Sequence, residues 1–230
     1  ERYDFPYSSD SIKEIFESVR PDVVIFLGAY DSNYSWTHTR KEAVQYTADL
    51  TNILSAYSVC KKGRFVYLSS QEIYGKSYID DVAEEEAGSA KNFRAMAIAQ
   101  GEDICKTYKK TQDMDITVMR LDHFYAMPKN GEKQYNPCYQ MVVEALKNNR
   151  ISASRRNLFS MIYLDDVVEY IYQVTEAESL KHMIYNITSG QVISQMDLAE
   201  LIQKYMKEKT EIADATVGEN HRLVLKGERY

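Results

Sequence analysis

The sequence has few cysteines. Cys60, Cys105 and Cys138 are the only three, and no two of them form a CxxC pair. An odd number of cysteines without metal-like spacing excludes a disulfide framework and a cysteine-based zinc site. We therefore predict no metal site and a reducing compartment, the cytoplasm.

Long apolar runs and an excess of positive charge are lacking as well. No apolar stretch approaches the roughly 18 residues that a membrane-spanning helix needs. The net charge is -6, and the basic residues form only small clusters such as Arg155-Arg156. This balance argues against a nucleic-acid surface. We expect neither a membrane nor a nucleic acid among the partners.

The first half of the chain alternates between strand-like and helix-like patterns. Apolar runs at 23–28, 65–68 and 116–119 predict strands, and helical spacing predicts helices at about 39–57 and 95–110. The run at 23–28 is continuous, which is typical of a central strand buried on both faces. The βαβαβ order predicts an α/β fold with a doubly wound parallel sheet.

The pattern changes after Arg120. Pro128, Asn130 and Gly131 indicate a loop, and shorter strand and helix patterns follow it. We expect a second, smaller lobe, with a soft boundary near residue 125.

Six segments, spread over most of the chain, resemble the extended short-chain dehydrogenase/reductases of the sugar-nucleotide epimerase/dehydratase type. They are similar to the fourth strand and its loop, the Ser/Thr loop, the helix that carries the active-site Tyr and Lys, the segment after the sixth strand, and two substrate-domain segments. In this sequence they are Pro21–Ala29, Leu68–Gly75, Gly101–Tyr108, Arg120–Tyr125, Ile162–Val167 and Tyr185–Gly190.

The resemblance implies a Rossmann-type doubly wound parallel sheet with a smaller C-terminal substrate lobe. Residues 1–125 would form a partial Rossmann dinucleotide-binding domain. Residues 126–230 would form mainly the substrate-binding lobe, interleaved with the first domain. The implied cofactor is NAD or NADP, and the implied ligand is a nucleotide sugar or a related small molecule.

The glycine-rich turn that holds the pyrophosphate in this family does not occur in the chain. Its nine glycines are dispersed, and none of them forms GxGxxG or GxxGxxG. The strand at 23–28 also stands too early in the sequence to be preceded by the family's first strands. Without them this apolar strand would lie at an open sheet edge. We therefore expect the chain to be a fragment; the alternatives are a product of proteolysis and one piece of an assembly that supplies the missing strands.

The family's catalytic Tyr and Lys are also missing. Alignment on Gly101-Glu102 places Arg94 and Ile98 at their positions, and a shift of one residue places Phe93 and Ala97 there. Neither register supplies a phenol for proton transfer or an ammonium to lower its pKa. A YxxxK match at 57–61 precedes the Ser loop, and we interpret it as coincidence.

Three residues are candidates for a catalytic role by resemblance. Ser70 matches the family's catalytic Ser or Thr, Glu72 matches the acidic residue of the dehydratases, and His123 replaces the usual Asn. Each has a structural alternative. Ser70 could satisfy backbone groups at a strand end, Glu72 could be a solvated loop carboxylate, and His123 could be a hydrogen-bonded histidine under a loop.

The resemblance further implies residues that contact ligands. The cofactor would contact the loops that follow two strands, and the substrate would contact the second lobe. Gly28 and Ala29 could instead reflect tight packing of a helix on the sheet. The predicted cofactor-binding residues are Leu27, Gly28, Ala29, Ser69 and Leu121, and the predicted substrate-binding residues are Tyr125, Arg155 and Arg156.

Three hypotheses about function follow. The first is a catalytically impaired relative that still binds a nucleotide or nucleotide sugar. The second is part of an active enzyme that uses Glu72, His123 or Tyr125 as an unusual acid. The third is an interaction module whose open sheet edge accepts a partner strand. Family dimers form through a four-helix bundle of the helices at about 39–57 and 95–110, so a homodimer is expected.

Overall fold

The computed structural model describes residues 9–31, 34, 36–60, 63–75, 81–86, 88–127, 136–215, 221–227 and 229. The chain divides into two compact units. The first consists of residues 1–75, 87–120 and 173–185, and the second of residues 76–86, 121–172 and 186–230.

The first unit is a parallel α/β structure. Its sheet has the strand order β1-β2-β3-β7, and β1 and β2 pair in parallel with Val23 opposite Arg64. The predicted βαβαβ order and fold class are confirmed. The elements are α1 (Ser9–Val19), β1 (Val23–Phe26), α2 (Thr39–Cys60), β2 (Arg64–Ser70), α3 (Phe93–Gln112), β3 (Asp115–Leu121) and β7 (Ile184–Ile187), whose last two residues are assigned to the second unit.

Among the described residues β1 is an edge strand, as expected for a chain without the family's first strands, and it lacks the burial on both faces that its apolar run is typical of. It pairs only with β2, and Ile25 is 40% exposed. The apolar run is explained instead by one-sided packing. Phe26 is buried and its ring stacks on the ring of Tyr67, with 5.9 Å between the centroids.

β2 is the central strand, and the helices α2 and α3 pack on it. Every one of its residues is buried, including Arg64 at its start. The Arg64 guanidinium donates to Asp115 Oδ2 at 2.8 Å and to the carbonyl of Ala177 at 2.9 Å, which compensates the burial of its charge.

α3 lies close to β2 because it has a glycine at the contact. A Cβ atom at Gly101 would lie 2.2 Å from the Tyr67 hydroxyl. That hydroxyl donates to the Ile98 carbonyl at 2.8 Å and lies 2.7 Å from the Tyr46 hydroxyl of α2. The buried tyrosine pair therefore ties both helices to the central strand.

The second unit is built from short strands and helices. β6 is its central strand, with β4 and β10 parallel to it and β8 antiparallel, while β5 pairs with β9. The Ser194 side chain caps α6 through a capping box with Asp197. The elements are β4 (His123–Tyr125), α4 (Pro137–Asn148), β5 (Arg150–Ala153), β6 (Leu158–Tyr163), α5 (Leu164–Glu176), β8 (Val192–Ser194), α6 (Gln195–Tyr205), β9 (Glu211–Asp214) and β10 (Arg222–Leu223).

The helices found in the described ranges are all too short or too polar to cross a membrane. Over the same residues, no group of three or more His, Cys, Asp or Glu side chains is placed to hold a metal ion. Lys61 of the YxxxK match lies outside the described residues, as does the predicted loop at 128–131.

Candidate functional site

The predicted Ser loop follows the carboxyl end of β2. Ser70 has extended backbone angles, and its Oγ accepts a hydrogen bond from the Glu72 backbone N–H at 3.2 Å. This contact starts a short 3-10 turn over Gln71–Ile73. The Ser70 side chain is thus oriented at the strand end, as polar loop residues often are, and among the described residues no acceptor is found for its own hydroxyl proton.

A buried ion pair supports this loop from below. Arg120 donates to both oxygens of Glu102, from Nε at 2.9 Å and from Nη2 at 2.8 Å. The second partner of Glu102 is the Ser69 hydroxyl, which donates to Oε1 at 2.6 Å. Arg120 Nη1 in turn donates to the Tyr74 hydroxyl at 2.7 Å. The network therefore holds the loop on both sides of Ser70.

Burial and the neighbouring charge act in opposite directions on the pKa of Arg120. Burial alone would lower its pKa, but the hydrogen bonds and charge of Glu102 outweigh burial and raise the pKa of Arg120. The guanidinium therefore stays charged, and this charge compensates the carboxylate of Glu102, which is only 2% exposed.

Sequence reasoning missed this ion pair, although a signal for it exists. Glu102 lies on the buried face of α3, on the same face as Ala95, Ile98 and Cys105. A carboxylate on an apolar helix face needs a buried partner. Arg120, near the end of the apolar strand β3, is such a partner.

Arg94 brings the loops after β1 and β2 together. It forms a short ion pair with Glu72, and its Nη2 donates to the Ala29 carbonyl at 2.7 Å. Its Cζ lies 5.9 Å from the ring centroids of both Tyr30 and Trp36, within the range of cation–π attraction. The structure thus gives the residue that stands at the expected place of the catalytic Tyr a defined role in positioning both loops.

The alternative positions for the missing Tyr and Lys do not supply a group for proton transfer either. Phe93 is 46% exposed at the start of α3 and carries no ionisable group. Ala97 and Ile98 are both fully buried, so a Lys at either place would have a buried ammonium.

The predicted cofactor-binding residues of the first unit lie in different environments. Leu27 is 51% exposed at the end of β1, whereas Ala29 is buried. A Cβ atom at Gly28 would lie 2.5 Å from the Phe26 ring and 2.8 Å from the Tyr46 ring, so close packing accounts for this glycine. The Ser69 hydroxyl is occupied by Glu102.

Two candidate residues of the second unit, His123 and Tyr125, lie on β4. They stand two positions apart on this strand, which places both on one face. The Tyr125 ring lies 5.4 Å from the ring of Tyr163 on β6, and the His123 ring meets the Phe159 ring edge-on at 6.5 Å. Leu121, just before β4, is buried.

Arg155 and Arg156 lie at the exposed turn between β5 and β6. Arg155 donates to Glu200 at 2.7 Å and lies 3.7 Å from Asp197, both on α6. Its side chain is 65% exposed, so these ion pairs hold it only weakly. The Arg156 side chain is exposed as well.

Asp122 is a buried carboxyl group that sequence reasoning did not single out. Its oxygens accept from the Thr188 hydroxyl at 2.7 Å and from the His123 backbone N–H at 2.7 Å. Burial raises the pKa of Asp122 to about 7, although hydrogen bonds from Ser160, Thr188 and His123 act in the opposite direction. This group titrates near neutral pH.

The parallel sheet and the serine loop at its strand end are typical of a Rossmann-type protein. The sequence profile of the NAD dependent epimerase/dehydratase family matches residues 6–188. The chain belongs to this family.

Curated relatives are named dehydratases. The dTDP-D-glucose 4,6-dehydratase of Dictyostelium discoideum is 25% identical over 218 residues, which cover 84% of this chain and 47% of that protein. The human dTDP-D-glucose 4,6-dehydratase is 24% identical over 205 residues, which cover 87% of this chain and 57% of that protein. The chain therefore spans about half the length of these relatives.

Solved structures confirm the fold. The UDP-glucose 4-epimerase of Thermotoga maritima with UDP-glucose has a TM-score of 0.81 at 16% identity, covering 98% of this chain and 75% of that chain. The UDP-glucuronic acid 4-epimerase of Bacillus cereus, in complex with UDP-glucuronic acid and NAD, has a TM-score of 0.78 at 14% identity, covering 98% of this chain and 71% of that chain.

Proposed function

We propose that this chain is a catalytically impaired family member that binds a nucleotide or nucleotide sugar. The observation that carries the proposal is Arg94. In one of the two possible alignments it stands at the place of the catalytic Tyr, and a guanidinium stays protonated at neutral pH and cannot exchange a proton with a sugar hydroxyl. The Ser70 loop beside it is nevertheless kept in a defined conformation by Glu102 and Arg120. A serine loop that keeps a defined conformation but lacks the proton-transfer group supports ligand binding without catalytic turnover.

The proposed ligand class comes from the structural neighbours. Two of them contain UDP-glucose or UDP-glucuronic acid. His123, Tyr125, Arg155 and Arg156 are the proposed contributors of the second unit to ligand binding. Tyr125 offers an exposed aromatic edge and the two arginines offer exposed charges, although Arg155 would first have to leave Glu200.

The proposed cofactor is NAD or NADP, which supplies a hydride acceptor when bound. Leu27, Gly28, Ala29 and Ser69 lie at the carboxyl ends of parallel strands, where dinucleotides bind in such sheets. They fit only the ribose and nicotinamide end, since the sequence has no glycine-rich turn for the pyrophosphate. Leu121 keeps its proposed role as a further contact. Fluorescence titrations with NADH and NADPH would distinguish the two cofactors.

The test of impaired catalysis is a turnover assay with NAD and UDP-glucose or dTDP-glucose. We expect no epimer and no dehydration product from the unmodified chain. The variant Arg94→Tyr, alone and combined with Ile98→Lys, is expected to give measurable product if only these two groups are lacking. Circular dichroism has to show that Ile98→Lys folds, because position 98 is fully buried.

Turnover by the unmodified chain would contradict this proposal and favour an active enzyme with an unusual acid. Glu72→Gln, His123→Ala and Tyr125→Phe would then identify that acid, because its loss abolishes product formation. Under the present proposal the unmodified chain forms no product, so none of the three substitutions lowers a rate.

We also propose a homodimer formed by α2 and α3 and a cytoplasmic location. The exposed groove between these helices is lined by apolar Val44 and Ile104 together with small polar residues such as Thr47 and Thr51. Light scattering would measure the mass, and a monodisperse monomer would contradict the dimer. Cell fractionation would test the location.

A further inference from the structure

The Arg94 side chain is held more rigidly than a surface arginine. The rings of Tyr30 and Trp36 each lie 5.9 Å from its Cζ, and the Ala29 carbonyl accepts from Nη2. We call Arg94, Ala29, Tyr30 and Trp36 together the Arg94 cage. Glu72 forms an ion pair with Arg94 at the edge of the cage.

The cage leaves hydrogen-bonding capacity on the guanidinium. An arginine has five N–H donors. Within the described part of the chain, Arg94 donates from Nη1 to Glu72 and from Nη2 to Ala29, and no further acceptor is found for it. Its side chain is 20% exposed, so a ligand can reach the remaining donors.

The group already bound to Arg94 indicates which ligand chemistry fits. Glu72 presents a carboxylate, and the planar fork of a guanidinium matches a planar carboxylate in a bidentate manner. The Glu72 side chain is 35% exposed on a short turn. Because solvent reaches Glu72 on one side of this ion pair, an incoming carboxylate can share Arg94 with Glu72 or displace it.

The aromatic members of the cage favour a sugar beside that carboxylate. Tyr30 and Trp36 are both half-buried, so part of each side chain remains accessible. A flat apolar ring offers packing area to the C–H face of a pyranose, whereas a strongly hydrated diphosphate gains nothing from it.

We propose that Arg94 binds the sugar carboxylate of a uronic acid nucleotide. This inference rests on the proposed function, which supplies the nucleotide sugar as the ligand class. The inference adds that the sugar carries a negatively charged carboxylate. Glu72 then acts as an internal competitor, since its negative charge repels the incoming carboxylate and occupies the same donor. The two residues are therefore expected to act on the same affinity with opposite signs.

The experiment compares two ligands that differ only at one carbon of the sugar. UDP-glucuronate carries a carboxylate where UDP-glucose carries a hydroxymethyl group, and UDP alone reports on the diphosphate. The sequence contains one tryptophan, Trp36, so its emission reports directly on the Arg94 cage. Titrations at low ionic strength would be followed by this emission and checked by calorimetry.

We expect UDP-glucuronate to bind the unmodified chain about tenfold more tightly than UDP-glucose, the size of one charge-assisted contact. Arg94→Gln should abolish this preference, and Arg94→Lys should retain only part of it. Glu72→Gln should enlarge the preference severalfold. Lys13→Gln removes one exposed positive charge from α1 and should change nothing, which makes it the matched control for net charge.

Three results would overturn the inference. The first is equal affinity for both sugars in the unmodified chain and in Glu72→Gln. The second is an equal loss of affinity for UDP and UDP-glucuronate in Arg94→Gln, which would assign Arg94 to the diphosphate. The third is the absence of binding for all three ligands in every variant, which would also overturn the proposed function. Binding of UDP-glucose without a preference for UDP-glucuronate leaves the proposed function intact and refutes only the proposed contact between Arg94 and a sugar carboxylate.

Discussion

Replacing Glu102 with Gln is expected to lower the free energy of unfolding by about 3–5 kcal/mol. The substitution leaves the Arg120 guanidinium buried without a negative partner. Arg120 is 5% exposed, so water cannot compensate the lost charge. Urea denaturation followed by circular dichroism would measure the change.

An exposed ion pair on the same helix provides the control for this prediction. Lys106 and Asp103 lie 2.9 Å apart on α3, and the Asp103 side chain is 75% exposed. Asp103→Asn is expected to change stability by less than about 1 kcal/mol. The double variant Glu102→Gln/Arg120→Met should recover part of the loss, because it removes the buried charge.

A loss below about 1 kcal/mol for Glu102→Gln would contradict the role assigned to the buried pair. The same variant also has a consequence for the site. Ser69 donates to Glu102 and Tyr74 accepts from Arg120, so the loop that contains Ser70 loses its two supports together. Ligand affinity should therefore fall along with stability.

Asp122→Asn is expected to remove a strong pH dependence of stability. The pKa of Asp122 is raised to about 7 in the folded chain, against about 3.9 in an unfolded one. Between these values the folded chain holds a proton that the unfolded chain has released. The stability contributed by this group is thus fully present below about pH 4 and is lost as the pH rises to about 7.

The size of this effect follows from the shift. Each pKa unit corresponds to about 1.4 kcal/mol, so up to about 4 kcal/mol of stability is lost across this range. Asn cannot ionise, yet its carbonyl oxygen can still accept from Thr188 or from the His123 backbone N–H. The variant should therefore gain stability relative to the unmodified chain as the pH rises.

The measurement is the difference in unfolding free energy between the two proteins at pH 4.5, 6 and 8. Because other titrating groups are common to both proteins, they cancel in this difference. A difference that stays constant with pH would show that Asp122 is ionised in the folded chain over the whole range.

Much of the fold was predictable from local patterns. The runs at 65–68 and 116–119 became the buried strands β2 and β3, because a continuous apolar run is typical of a strand inside a sheet that is covered on both faces. The similar run at 23–28 became the edge strand β1. A strand's position in the sheet depends on which other strands pair with it, and a local pattern does not contain that information.

The site was predictable only in part. Ser70 and Glu72 were identified because they follow a strand in a loop that resembles the family's. Arg94 was treated only as the loss of a Tyr, and its contacts with Ala29, Tyr30 and Trp36 are visible only in three dimensions. Those partners lie far from it in sequence, and no spacing rule joins an arginine to a distant carbonyl and two distant rings.

Binding without turnover is tested most directly by one titration of the chain with UDP-glucose. Trp36 emission would be recorded during the titration, and the recovered sugar would be analysed by chromatography after prolonged incubation with NAD. We predict a saturable change in Trp36 emission and complete recovery of UDP-glucose. Conversion of UDP-glucose to another sugar would contradict impaired catalysis, and constant emission and no binding heat up to millimolar UDP-glucose would contradict the retained binding site.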